Sequence, residues 1–164
     1  MPDMNKLLAE KEKIIAVIRS SGPSYPGRIA RATGLPPLFA SAFLSELVAE
    51  KKLKLSNMKV GSSPLYFIDG QEKILENFVE YLNNREKEAF KLLKESQILE
   101  DEKQEPVIRV ALRNIKDFAL PVTVKVDGET KLFWKYLSLS QEETKKKIED
   151  HIIGKEKKKI DKKE

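Results

Sequence analysis

Few side chains in this sequence are suited to chemistry, and their spacing limits them further. There is no Cys and a single His, His151. Their scarcity removes disulfides, thiolate metal sites, zinc fingers and any nucleophile built on Cys or on a Ser–His pair. His151 follows Glu149 and Asp150, but neighbours at i−1 and i−2 do not share its helix face. It is expected to be a satisfied or exposed His, with no metal set around it. Glu100, Asp101 and Glu102 are adjacent acids with no nucleophile, no metal-ligand spacing and no phosphate loop beside them, and Gly61-Ser62-Ser63 lacks the Walker pattern. No catalytic residue, no metal and no cofactor is expected, and the chain reads as a non-enzyme.

The chemistry left is electrostatic. Lys and Arg number 31 against 26 Asp and Glu, a formal charge of +5. Residues 5–70 carry 10 cations against 5 acids, residues 71–154 carry 15 against 17, and residues 155–164 carry 6 against 3. Basicity concentrated towards both ends points to a polyanionic partner. The candidate phosphate contacts in the first half are Arg28, Arg31, Lys51, Lys52, Lys54 and Lys59. In the second half Arg109, Arg113 and Lys116 fall at i, i+4 and i+7, one stripe of a helix, with Asn114 beside them and Lys125, Lys131 and Lys135 further on.

These residues need elements to carry them. With 164 residues, 40% of them apolar and 35% charged, the chain can form one ordinary domain or two small ones. No run approaches the roughly 18 apolar residues of a membrane-spanning helix, and MPDMNKLLAEKEK lacks the order of a signal peptide. The expectation is a cytoplasmic protein without a membrane partner, nucleoid-associated if it binds DNA. Apolar spacing predicts a helix over about 5–20, stopped by SSGP. A short one follows over Pro26 to Thr33, with Ser24 as cap and Gly34 as left-handed exit. A third opens at Pro37 and buries Leu38, Ala42, Leu44, Leu47 and Val48. LKLSNMKV and SPLYFI, either side of Gly61-Ser62-Ser63, read as a hairpin.

GRIARATGLPPLFASAFLSELVAEKKL resembles the helix-turn-helix core of archaeal and bacterial MarR-type winged-helix proteins, over roughly Ile14 to Ile68, with Ala30 and Gly34 about the turn and Leu47-Val48 leading into the wing. The same order then returns. A linker helix is predicted over 71–83. Helices follow over 85–96, over Ile98 to Gln104, and from Pro106 through VIRVALRNIKDFA. PVTVKV and KLFWKYLSL form a second hairpin around Asp127-Gly128. Pro37 and Pro106 open the two third helices 69 positions apart. Ser140 with Glu143 is a capping box for a last helix that Gly154 should stop, and KEKKKIDKKE beyond it is expected to be disordered.

The predicted fold is thus α+β and mainly helical, two tandem winged helix-turn-helix domains. The first spans 1–70 and the second 84–139, followed by a C-terminal helix over 140–154 and a Lys-rich tail over 155–164. The resemblance implies binding of double-stranded DNA, in transcription regulation or chromosome organisation, by a monomer or homodimer. On the first third helix the outward candidates Phe39, Ser41, Ser45, Glu46 and Glu50 include no Arg, so low to moderate sequence specificity is expected. The same helix suggests a rival role, a protein-interaction adaptor using Phe39, Phe43 and Leu47, provided apolar residues there are exposed. Trp134, Phe133, Tyr136, Tyr66 and Phe67 are expected to pack rather than stack on bases, alternation putting one of each neighbouring pair outward.

Overall fold

A computed structural model describes residues 3–163, with side chains described through residue 155. The chain is α+β and mainly helical, and falls into two units, Met1–Asn83 and Asn84–Glu164. Among the described residues no single helix is long and apolar enough to cross a membrane.

The first unit contains α1 (Met4–Ser21), α2 (Pro26–Thr33), α3 (Pro37–Ala49), β1 (Lys54–Val60), β2 (Ser63–Phe67) and a 3-10 helix, Glu72–Tyr81. Ile14, Ile18, Ile29, Ala40, Leu44 and Leu47 make a fully buried core. Ala40, Leu44 and Leu47 form the i, i+4, i+7 row that α3 turns inward. Leu38, expected in that stripe, lies two residues from Ala40 and so about 200° around the helix axis. It is 79% exposed, and Ala42 is exposed too. Gly34 is left-handed at the end of α2 as expected. Ser24 is not the cap. Its backbone pairs with Tyr66 in both directions, at 3.0 and 2.8 Å, and its hydroxyl donates to the Gly22 carbonyl at 2.9 Å. The segment before α2 is therefore extended and tied to β2.

Residues 71–83 were expected to form an α-helix and instead wind at three residues per turn. That period lines up Leu75, Phe78 and Tyr81, with Leu75 buried and the Phe78 and Tyr81 rings stacked 6.4 Å apart. Gln71 fastens the segment to its own unit. Its amide nitrogen donates to the Ile18 carbonyl at 2.9 Å, and its amide oxygen accepts from the Ile68 N–H at 3.1 Å.

The second unit contains α4 (Asn84–Ser96), β3 (Ile98–Glu100), a 3-10 turn (Asp101–Lys103), α5 (Pro106–Asn114), β4 (Ala119–Val126), β5 (Glu129–Tyr136) and α6 (Gln141–Lys163). Where a short helix was expected over 98–104, Gln97 takes a left-handed φ of 68° and redirects the chain into β3. The sheet order is β3-β5-β4, antiparallel throughout. In the first unit a single antiparallel bridge, Ser24–Tyr66, ties the segment between α1 and α2 to β2. Asp127 and Gly128 both have positive φ, as the predicted two-residue hairpin turn requires.

Two helix ends differ from expectation. α5 stops at Asn114, because Ile115 leaves the helical region at ψ 55°; the turn that follows sends both Ile115 and Phe118 into the core. The Ser140 hydroxyl accepts from the Glu143 N–H at 3.1 Å as a capping box should, but α6 passes through Gly154 and continues to Lys163. The expected disorder of 155–164 is therefore not seen in the backbone as far as Lys163; side chains beyond Lys155, and Glu164 altogether, lie outside the described residues. α6 also explains why Phe133 and Trp134, adjacent on β5, are both buried. The strand is covered on two faces, Phe133 meeting His151 of α6 with ring centroids 5.7 Å apart.

Candidate nucleic-acid interface

Glu100 ends β3 and Asp101 opens the 3-10 turn that follows it, and the two acids bind different partners. Both are buried, and between them they take up three of the second unit's candidate cations, Arg109, Arg113 and Lys131. Asp101, with 3% of its side chain exposed, accepts from Arg109 Nε at 3.0 Å and Nη2 at 2.8 Å. It also accepts from Arg113 Nη1 at 2.8 Å and Nη2 at 3.0 Å, and from the Trp134 indole N–H at 2.9 Å. The Arg113 guanidinium donates again to the Arg109 carbonyl at 2.9 Å and lies over the Trp134 ring, 5.5 Å from its centroid. Arg113 above all holds the Asp101 carboxyl well below the usual carboxylate range, against the opposing effect of burial, with Trp134 and Arg109 adding to it. Asp101 in turn raises Arg113.

Glu100, with 2% of its side chain exposed, faces α6. It accepts from Lys131 Nζ at 3.4 Å, pairs with His151 Nε2 at 3.1 Å and is bound by Lys155. Burial alone would push its carboxyl up; the donors Lys155, His151 and Lys131 outweigh that and lower it to about 2. His151 is thus half of an anchor for α6, and no group of three metal-ligating side chains occurs among the described residues.

The expected cationic stripe is accordingly corrected. Arg109 and Arg113 share a face of α5 but are clamped, with 41% and 44% of their side chains exposed. Lys116 lies beyond the helix end, in the turn before β4. Lys131 belongs to Glu100, and Lys135 donates to the Leu139 carbonyl at 2.8 Å. Asn114 is exposed and has a partner of its own. Lys116 and Lys125 are exposed with no ion pair among the described residues.

In the first unit the candidates separate into two groups. Lys54 stands at the base of the hairpin, paired in register with Phe67, and is bound to Asp69 and Glu72. Lys52 pairs with Glu50 at 3.5 Å. Lys51, Lys52 and Lys54 share an open concavity of about 740 Å³ with Arg19, which sequence spacing did not single out. Lys59 is five residues along β1 from Lys54, roughly 17 Å at the rise of a strand, and lies by the tip. Arg31 donates to the Tyr25 hydroxyl at 2.7 Å. Arg28, Lys51 and Lys59 are exposed and carry no ion pair among the described residues. Along α3, Ser41 and Ser45 are exposed, as are Leu38 and Phe39, while Phe43 rests against the core. The acids at its far end are answered by Lys11, 3.0 Å from Glu46 and 2.6 Å from Glu50.

The second unit's two buried anchors escaped the sequence reading because an acid in a run of acids looks solvated. What the sequence does show is the pair's place directly after the apolar Ile98-Leu99 step and ahead of Arg109, Arg113 and Lys131. Compared with family models, with curated proteins and with solved structures, the chain finds no match in any of the three.

Proposed function

We propose that each unit is a winged helix and that the chain binds double-stranded DNA, chiefly through phosphates and with low to moderate sequence specificity, in transcription regulation or chromosome organisation. The observation that carries this reading is a set of exposed cations with no ion pair among the described residues: Arg28 on α2, Lys51 at the exit of α3 and Lys59 near the hairpin tip. Such residues neutralise phosphates and position a helix without reading sequence. The exposed half of α3 fits a weak reader. Ser41 and Ser45 can bond either base edge, Leu38, Phe39 and Ala42 can meet thymine methyls, and nothing there makes the bidentate contact that discriminates strongly.

The test is duplex binding followed by fluorescence anisotropy against salt. Arg28→Ala, Lys51→Ala and Lys59→Ala combined should flatten the log–log slope by about 0.9 for each contact removed. No binding by the parent protein at low salt, or an unchanged slope in the triple variant, would refute the reading.

A second reading, a protein-interaction adaptor, rests on one observation: Leu38 and Phe39 are 79% and 56% exposed. Replacing both by Ser separates the two. Lost duplex affinity puts these side chains in the groove; unchanged affinity favours a partner protein.

A further inference from the structure

The clamp on Asp101 does not exhaust the two arginines it holds. Two guanidinium groups offer ten N–H donors. Four go to Asp101 and one to the Arg109 carbonyl, which leaves five unused: three on Arg109 and two on Arg113. Both side chains are more than two-fifths exposed, whereas the carboxylate that holds them is buried. The free donors therefore belong to the solvent side, and the cluster keeps a formal charge of +1. Arg113 is fixed a second time by the Trp134 ring beneath it. Arginines are costly to immobilise on a ligand because of their rotamer freedom. Here that ordering has already taken place in folding, so an oxyanion would meet donors already in position.

We propose that Arg109 and Arg113 form a clasp for a single phosphodiester phosphate of duplex DNA, and that Asp101 is its positioning residue. The proposal rests on the DNA-binding reading and assigns the second unit one defined contact within it. Phosphate is the ligand chemistry that fits, because its several oxygens can accept from two forks at once and its charge opposes the cluster's. Asp101 does not touch the phosphate. It holds the guanidiniums apart from solvent-driven rotation and turns their remaining N–H groups outward.

Positioning and plain charge predict opposite signs for one substitution. Asp101→Asn raises the local charge by one; were the arginines simply cations, duplex affinity would rise. If Asp101 orients them, affinity falls in spite of the added charge, by about tenfold for the loss of one charge-assisted contact. Arg113→Lys keeps the charge but loses the fork, and is expected to weaken binding by a similar factor. Both are measured by anisotropy with a fluorescent duplex at low salt, alongside the parent protein, with the emission of Trp134, the only Trp, and far-UV circular dichroism reporting that the fold is kept.

Weaker binding by both folded variants supports the clasp. Equal or tighter binding by Asp101→Asn, or unchanged binding by Arg113→Lys, overturns it while leaving the DNA-binding reading intact through the first unit. Absence of binding by the parent protein overturns the reading itself and the clasp with it. Should Asp101→Asn fail to fold, Arg113→Lys decides alone, since its side chain is substantially solvent-exposed.

Discussion

Both units lead from helices into a β-hairpin, and they treat their charges differently. In the first, the acids that meet cations stand in solvent: the side chains of Glu50, Asp69 and Glu72 are 38%, 82% and 37% exposed. In the second, Glu100 and Asp101 are buried to within 2% and 3%, and together they gather five basic side chains and an indole. An exposed pair is screened and must order two long side chains, so it contributes little and leaves its cation available. A buried carboxylate cannot be left without its donors, so it dictates where they sit. Basic side chains thus remain surface charge in solvent-exposed pairs in one unit and are set in fixed geometry around two buried acids in the other.

The largest expected break in this contrast comes from acid. The Glu100 carboxyl titrates near 4.5 when unfolded and at about 2 in the folded unit. Its contribution is complete above roughly pH 4.5 and is lost as pH falls towards 2; at 1.36 kcal/mol per pH unit that is about 3 kcal/mol. Asp101, also depressed, acts in the same direction. Urea unfolding followed by Trp134 emission should show the second unit weakening steeply between pH 5 and pH 2. A midpoint flat across that range would show that the carboxylates are not held as described.

Next in size is a pair of substitutions that put one question to both units. Asp101→Ala strips the acceptor from two guanidiniums and leaves the buried Trp134 N–H without a partner. The arginines can turn to water but the indole cannot, so about 2 kcal/mol of stability should go. Asp69→Ala removes a partner from Lys54 at the surface, and the first unit's unfolding midpoint, read by circular dichroism, should not move. Equal losses from the two would erase the distinction between the units.

Much of this architecture was legible in the residues, and the parts that were not share a cause. α1, α2, α3 and both hairpins follow from apolar period, Pro at helix starts and Gly or Asp-Gly at turns, all of them local signals. The misses depend on contacts distant in sequence. Ser24 reads as a cap until Tyr66 pairs with its backbone; 98–104 reads as a helix until β5 supplies a strand to pair with. Leu38 looks like core because a periodic row says nothing of which row is turned inward. At the candidate site, the row of Arg109 and Arg113 could be read from spacing, whereas its capture by Asp101 depends on burial, which the run Glu-Asp-Glu conceals.

The smallest prediction concerns how the second unit is closed, and its sign carries the information. Among the described residues the first unit has no helix after its hairpin like α6, whose Thr144 and Ile148 are buried and whose Lys155 reaches Glu100. Gly154 was expected to end that helix in a left-handed turn, a conformation in which Ala is strained. Instead its φ is not positive, and a Cβ there would meet open space. Within a helix, Gly costs roughly 0.5–1 kcal/mol relative to Ala. Gly154→Ala should therefore stabilise the second unit by up to that amount and increase the helical signal in far-UV circular dichroism. If the replacement destabilises instead, the helix turns at 154 as the sequence first suggested. Lys155 would then have to reach Glu100 from a segment outside α6, and Glu100 would keep only Lys131 and His151 as partners held on fixed elements.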